Sequence, residues 1–82
     1  SYDKGLEIDK RLAQLRDKDP IVHYNLACSY SLLNLVEESA QALKRAVNLG
    51  YNDFKHMEAD PDLSNLRKDE KYQKIISKIK RG

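Results

Sequence analysis

The residues of this chain equipped to attack, ligate or move protons are few: one cysteine, Cys28, two histidines, His23 and His56, and carboxylates gathered around Asp60. His56-Met57-Glu58 has the His-x-Glu spacing in which a zinc deaminase holds metal with the histidine and shuttles protons with the glutamate. That chemistry also requires a Pro-Cys-x-x-Cys partner to complete the metal shell. The single cysteine stands 28 residues before His56, so His56 reads as a surface or cap-packing side chain. Asp60, Asp62 and Ser64 open with the spacing of a calcium loop. Its sixth position, which needs Gly for the turn, is Asn65, and its twelfth, which needs a bidentate Glu, is Lys71. A nucleophilic Cys28 would need His23 or His56 beside it and a third group to orient the imidazole. In a packed helical hairpin, a cysteine is more often a small hydrophobe. Gly5, Gly50 and Gly82 stand too far apart to cradle a phosphate. No catalytic, cofactor-binding or metal-ligating residue is expected, and no enzyme.

The elements that position these residues are helical. Apolar and small residues recur at i, i+3 and i+4 on consecutive segments of about a dozen residues, which is the helical period. A first helix is expected over about Tyr2 to Arg16, with Leu12 and Leu15 among its inward residues and Asp9, Lys10, Arg11 and Gln14 outside. Pro20 disfavours helical geometry at Asp19, ending that segment, and Asp19 can cap the next helix with Pro20 in its first turn. The second helix, about Ile21 to Leu33, is rich in tyrosine and small residues. The third, about Val36 to Leu49, places Val36, Ala40, Leu43 and Val47 on one stripe and Glu37, Glu38, Gln41, Lys44 and Arg45 outside. Gly50 lets the chain leave in a left-handed conformation. A short turn of helix near Asp53 to Glu58 brings Phe54 and Met57 back on the hairpin. Asp60-Pro61 starts another by the logic of Asp19-Pro20. A final helix over about Asp69 to Lys80 buries Tyr72, Ile75, Ile76 and Ile79.

Residues 20–53 resemble a tetratricopeptide repeat, whose unit of about 34 residues folds as helix, turn, helix. Tyr24-Asn25-Leu26-Ala27 resembles the signature of that family's first helix, Tyr30 sits where it places an aromatic, and Asn34 stands where its hairpin turn usually has Gly. Leu43 and Ala46 occupy its large and small packing positions in the second helix. Ser39 replaces the usual helix-packing Ala, and Tyr51 follows Gly50 where a Pro would open a further repeat, which suggests that the array stops here. Leu49 to Phe54 and Asp60 to Arg67 resemble the closing segment found after the last repeat in many bacterial proteins of this type. The resemblance implies an all-α fold: residues 1–18 as the second helix of a partial preceding repeat, 20–53 as a complete repeat, and 54–82 as a C-terminal cap. It also implies a groove on the inner face of the repeat's first helix, lined by Ile21, Tyr24, Asn25, Cys28, Ser31 and Leu32, for a peptide or partner protein. The rival reading is that Ile21, Tyr24 and Leu32 simply pack against neighbouring helices. The chaperone-binding members clamp a terminal carboxylate with basic and Asn side chains on successive repeats, and only Asn25 matches one of those positions.

Composition bounds the function classes. Eighty-two residues make one small domain, too small for a deep, water-excluding active site. A charged content of 34% beside 40% hydrophobic residues favours a folded helical domain over disorder. Nothing approaches the roughly 20 apolar residues of a membrane span, and Ser1-Tyr2-Asp3-Lys4 is no signal peptide. A net charge of +2 gives little push toward nucleic acid. The tail is locally basic, with Arg67, Lys68, Lys71, Lys74, Lys78, Lys80 and Arg81 against Asp69 and Glu70. Its plain reading is the solvated face of an amphipathic helix, and no aromatic residues are interleaved there to stack on bases. Cys28 alone forms no internal disulfide, which agrees with a reducing compartment, and the cytoplasm is the expected location. The leading expectation is a non-catalytic protein-interaction module, the C-terminal part of a longer array. The alternatives are self-association through the N-terminal helix and an accessory docking domain of an enzyme whose catalytic part lies elsewhere.

Overall fold

Aspartates punctuate the chain. Asp19 accepts from the Ile21 amide at 2.9 Å, Asp53 from the His56 amide at 3.1 Å, Asp60 from the Asp62 amide at 3.0 Å and Asp69 from the Lys71 amide at 2.9 Å. Each satisfies a backbone donor that the first turn of a helix leaves without an internal partner. The computed structural model describes residues 2–81, so Ser1 and Gly82, at the outer ends of the first and last expected segments, lie outside it. Among the described residues all regular structure is helical: α1 (Tyr2–Leu15), α2 (Pro20–Leu32), α3 (Val36–Asn48), α4 (Phe54–Ala59), a 3₁₀ turn (Pro61–Leu63), α5 (Ser64–Arg67) and α6 (Glu70–Arg81). The helices expected from the sequence are present with ends moved by a residue or so, and Asp69 caps α6 instead of belonging to it. The separate α5 is an addition to the expected elements.

Two left-handed residues set the turns. Asn34, at φ 60°, lets the Leu35 amide reach back to the Tyr30 carbonyl at 2.9 Å and its own amide to Ser31 at 2.9 Å. Gly50, at φ 113°, does the same after α3, with the Tyr51 amide on the Ala46 carbonyl at 2.9 Å. Asn tolerates the left-handed region better than most residues with a side chain, which is why it can replace Gly at the first of these turns.

The three-residue turn lays α3 back along α2, and Ala27 and Ala46, both fully buried, allow the close approach. Ser39 Oγ donates to the Ala27 carbonyl at 2.7 Å in that interface, so this buried hydroxyl is satisfied internally. Met57, Leu63, Leu66 and Tyr72 then close the core from the C-terminal side. The radius of gyration is 11.6 Å, close to the roughly 12 Å expected of a compact domain this long.

On α1 the expectation for the inward face needs correcting. Leu6 is the buried residue, whereas Leu12 is 36% and Leu15 75% exposed. With its main contacts on α2, α1 can turn only one edge of its apolar stripe inward. No described helix is long and apolar enough to cross a membrane.

Candidate functional site

The densest polar constellation converges on Asp60, at the corner between α4 and the 3₁₀ turn. Its Oδ1 is used by the Asp62 amide. Its Oδ2 accepts from the Tyr24 hydroxyl at 2.6 Å and from the Cys28 thiol at 3.7 Å, and the His56 Nε2 lies 3.2 Å away. Tyr24 and Cys28 come from one face of α2, four residues apart, while His56 is one turn before Asp60. The Tyr24 ring stacks on Tyr51 with centroids 4.2 Å apart and planes within 6°, and the His56 ring lies tilted across it at 5.9 Å.

Electrostatics fix the protonation pattern. Burial pushes the Asp60 carboxyl upward, but the Tyr24 hydroxyl, the Asp62 amide, His56 and Cys28 together outweigh it and hold the group below its ordinary value. Burial, then the hydrogen bond to Asp60, pushes the Tyr24 hydroxyl up. Burial, then the charges of Asp60 and Asp62, pushes the Cys28 thiol up to about 12. Both groups therefore act as neutral donors to an anionic acceptor, a charge-assisted arrangement stronger than a neutral hydrogen bond. A thiol held protonated is a poor nucleophile and a poor metal ligand. Cys28, Asp60 and Asp62 bring one ligand atom each within 4.8 Å of one another, yet both Asp60 oxygens already have partners. The arrangement is suited to fastening the C-terminal segment onto α2.

A second set of contacts continues the fastening. Ser31 Oγ accepts from the Leu66 amide at 3.2 Å, and the Ser31 carbonyl accepts from Asn65 Nδ2 at 2.8 Å. The six residues expected to line one open groove therefore divide. Tyr24, Cys28 and Ser31 are buried beneath residues 60–66, Leu32 is half-buried, and Ile21 and Asn25 are exposed. An open groove along all six needs correction, because the chain's own segment occupies half of it. The tie of Asp60 to α2 is what sequence reasoning missed. Its signal was the Asp60-Pro61 step, which identified a cap through one oxygen and said nothing about the other.

Exposed apolar side chains are concentrated on α1. Ile8, Leu12 and Leu15 of α1, with Ile21 at the start of α2 and Leu35 after it, are the exposed large hydrophobic residues. Ser29 on α2 donates to Asp9 on α1. His23 Nε2 is 2.7 Å from the Asp17 carbonyl, and the Arg45 guanidinium donates to the same oxygen. These bonds orient α1 without covering its outer face.

A curated chloroplastic protein of Arabidopsis thaliana is 41% identical to this chain over 59 residues, which are 72% of this chain and 18% of that protein. The chain thus spans less than a fifth of the relative's length. No protein-family profile matches the chain, and no solved structure matches it.

Proposed function

We propose that this chain is a non-catalytic interaction module of the tetratricopeptide type, the closing unit of a longer helical array. In this reading α2 and α3 form the last repeat, α4 to α6 form its cap, and the outer face of α1 receives an apolar helical surface from a preceding repeat or a partner subunit. The observation that carries it is the contrast between a core sealed on the cap side and an α1 face with Ile8, at 62% exposure, and Leu15 in solvent. Repeats of this kind bury each other's faces, and an isolated unit leaves one face uncovered. The long chloroplastic relative is consistent with a setting in which further chain supplies that cover. A location in the cytoplasm and one in a chloroplast both suit a free, buried Cys28.

Self-association is the second reading, favoured by the same exposed side chains, since a second copy offers an identical apolar stripe. Sedimentation over a concentration series, with and without an apolar-surface dye, tests both. A concentration-dependent dimer that Leu15→Asp abolishes supports cover by a second copy. A monomer that binds dye through α1 supports a site left open for a different partner. A monomer that binds no dye contradicts an adhesive α1 face.

A further inference from the structure

A groove of about 420 Å³ runs between α3 and α6, on the face of the molecule formed by the hairpin and the last helix. Its floor is apolar, including Val47 and Ile75, and its lining carries Lys44 from α3 and Lys71, Lys74 and Lys78 from α6, against one carboxylate, Glu37. Lys71, Lys74 and Lys78 fall at i, i+3 and i+7, so they line one side of α6. Packing α6 onto α3 brings Lys44 to them from across the cleft. Lys71 lies 3.6 Å from Asp69, and Lys44, Lys74 and Lys78 form no ion pair among the described residues. Like charges brought together around an apolar trough raise the local positive potential, and an anionic occupant relieves it.

We infer that this groove docks an acidic amphipathic helix from a partner protein, with its apolar stripe on the Val47 and Ile75 floor and its carboxylates between the lysines. The trough and the cations select together. Inorganic phosphate would use the charge and waste the floor, whereas an apolar helix with acidic flanks uses both, as in helix-in-groove recognition. A bilayer surface fits less well, because Ile75 is recessed and the exposed large hydrophobic residues lie on or beside α1 and α2. Stacking of bases is unsupported, since no aromatic side chain lines the groove. The 12 residues of α6 extend about 18 Å, which matches a partner helix of about three turns. This surface is separate from the outer face of α1, and either assignment can fail without the other.

The test uses the 82-residue chain and a dye-labelled helical peptide of about 15 residues, with leucines on one stripe and glutamates flanking them. Anisotropy titrations are run at low and moderate salt beside a peptide of the same composition with the leucines moved off the stripe. The striped peptide is expected to bind more tightly than the scrambled one and to weaken with salt. The double variant Lys74→Glu, Lys78→Glu is expected to lose about tenfold or more in affinity, while Leu15→Asp on α1 leaves binding unchanged. If circular dichroism shows the double variant misfolded, Lys44→Gln and Lys74→Gln, singly, carry the same expectation at smaller size. Equal binding of both peptides, or unchanged binding by folded lysine variants, overturns the inference. Capture by phosphatidylserine vesicles without peptide binding also overturns it and assigns the basic face to a membrane surface.

Discussion

On the C-terminal side of α2, Met57, Leu63 and Leu66 have no exposed surface, while on its other side α1 leaves most of Leu15 in solvent. The two regions are built from similar side chains and differ in how their backbones are held. Residues 60–66 are tied to α2 through Asp60, Ser31 and Asn65, and those bonds place Leu63 and Leu66 in the core. On α1 the polar ties run along its edge. The difference lies in how each segment is held: fully buried bonds at Tyr24 and Ser31 fasten the C-terminal segment, whereas the bonds of α1 and the loop after it are part-buried.

The largest effect expected from this contrast is on its sealed side. Leu66→Ala should destabilise the fold by about 2–5 kcal/mol, because the removed methyl groups leave a cavity among fixed neighbours. Leu15→Ala, in solvent, should change stability by about 0.5 kcal/mol or less. Urea unfolding of the two variants measures both, and comparable losses would break the distinction.

Next in size is the Asp60 corner. Asp60→Asn removes the anionic acceptor from Tyr24 and Cys28 and should cost about 1.5–3 kcal/mol, the range for hydrogen bonds to charged groups. The group also predicts a pH dependence. Because folding lowers the carboxyl from its ordinary 3.8, its contribution is present above that value and is lost as pH falls through the lowered folded-state value. Acid titration of stability should therefore fall less steeply below the ordinary carboxylate range in Asp60→Asn than in the parent chain. Equal slopes would mean that folding does not lower the Asp60 carboxyl.

Between α3 and α4, Gly50→Ala should cost about 1–2 kcal/mol, since φ 113° strains any residue with a Cβ. The added Cβ meets nothing within 4 Å, so the loss is one of backbone conformation and shows in thermal melts without loss of helix. The smallest effect concerns the Tyr72 hydroxyl in the sealed region. The Tyr72 hydroxyl is enclosed with no partner in full hydrogen-bonding geometry among the described residues, and burial, then the charge and the nearby acceptor oxygen of Glu58, pushes it up to about 12. Tyr72→Phe should be neutral or stabilising by a few tenths of a kcal/mol, because it removes an unsatisfied buried group. Tyr24→Phe, which removes a satisfied one, should destabilise. A loss in both variants would mean that the Tyr72 hydroxyl donates to the Glu58 carboxylate after all.

Much of the local structure was legible in the sequence because its signals are short-range. Asp19-Pro20 and Asp60-Pro61 mark helix starts through contacts two residues long, and Gly50 marks a helix end through its own φ. The stripe of α6 followed from a period of 3.6 that a single helix displays by itself. The candidate site was less legible for a physical reason. Tyr24 and Asp60 are 36 residues apart, and nothing in either segment says that the second oxygen of a capping carboxylate will be spent on a tyrosine. The inner face of α2 therefore left both readings standing, a groove for a partner and packing within the chain. The lysine groove was hidden in the same way, since Lys44 alone is a solvated charge until α6 is laid beside it. On α1 the apolar stripe was legible but the inward placing of Leu12 and Leu15 was not right, because Leu6, Ile8, Leu12 and Leu15 span more of the helix than one neighbour can cover.

The contrast between the sealed and open sides of α2 is tested most directly by native-state hydrogen exchange, read residue by residue at a concentration where the chain is monomeric. Amides of Ala27, Leu43 and Leu66 should exchange only through global unfolding. Amides of α1 around Leu12 should exchange through local openings of clearly lower free energy. Protection of α1 equal to that of the core would contradict the account, because the helix would then need no further surface to complete it.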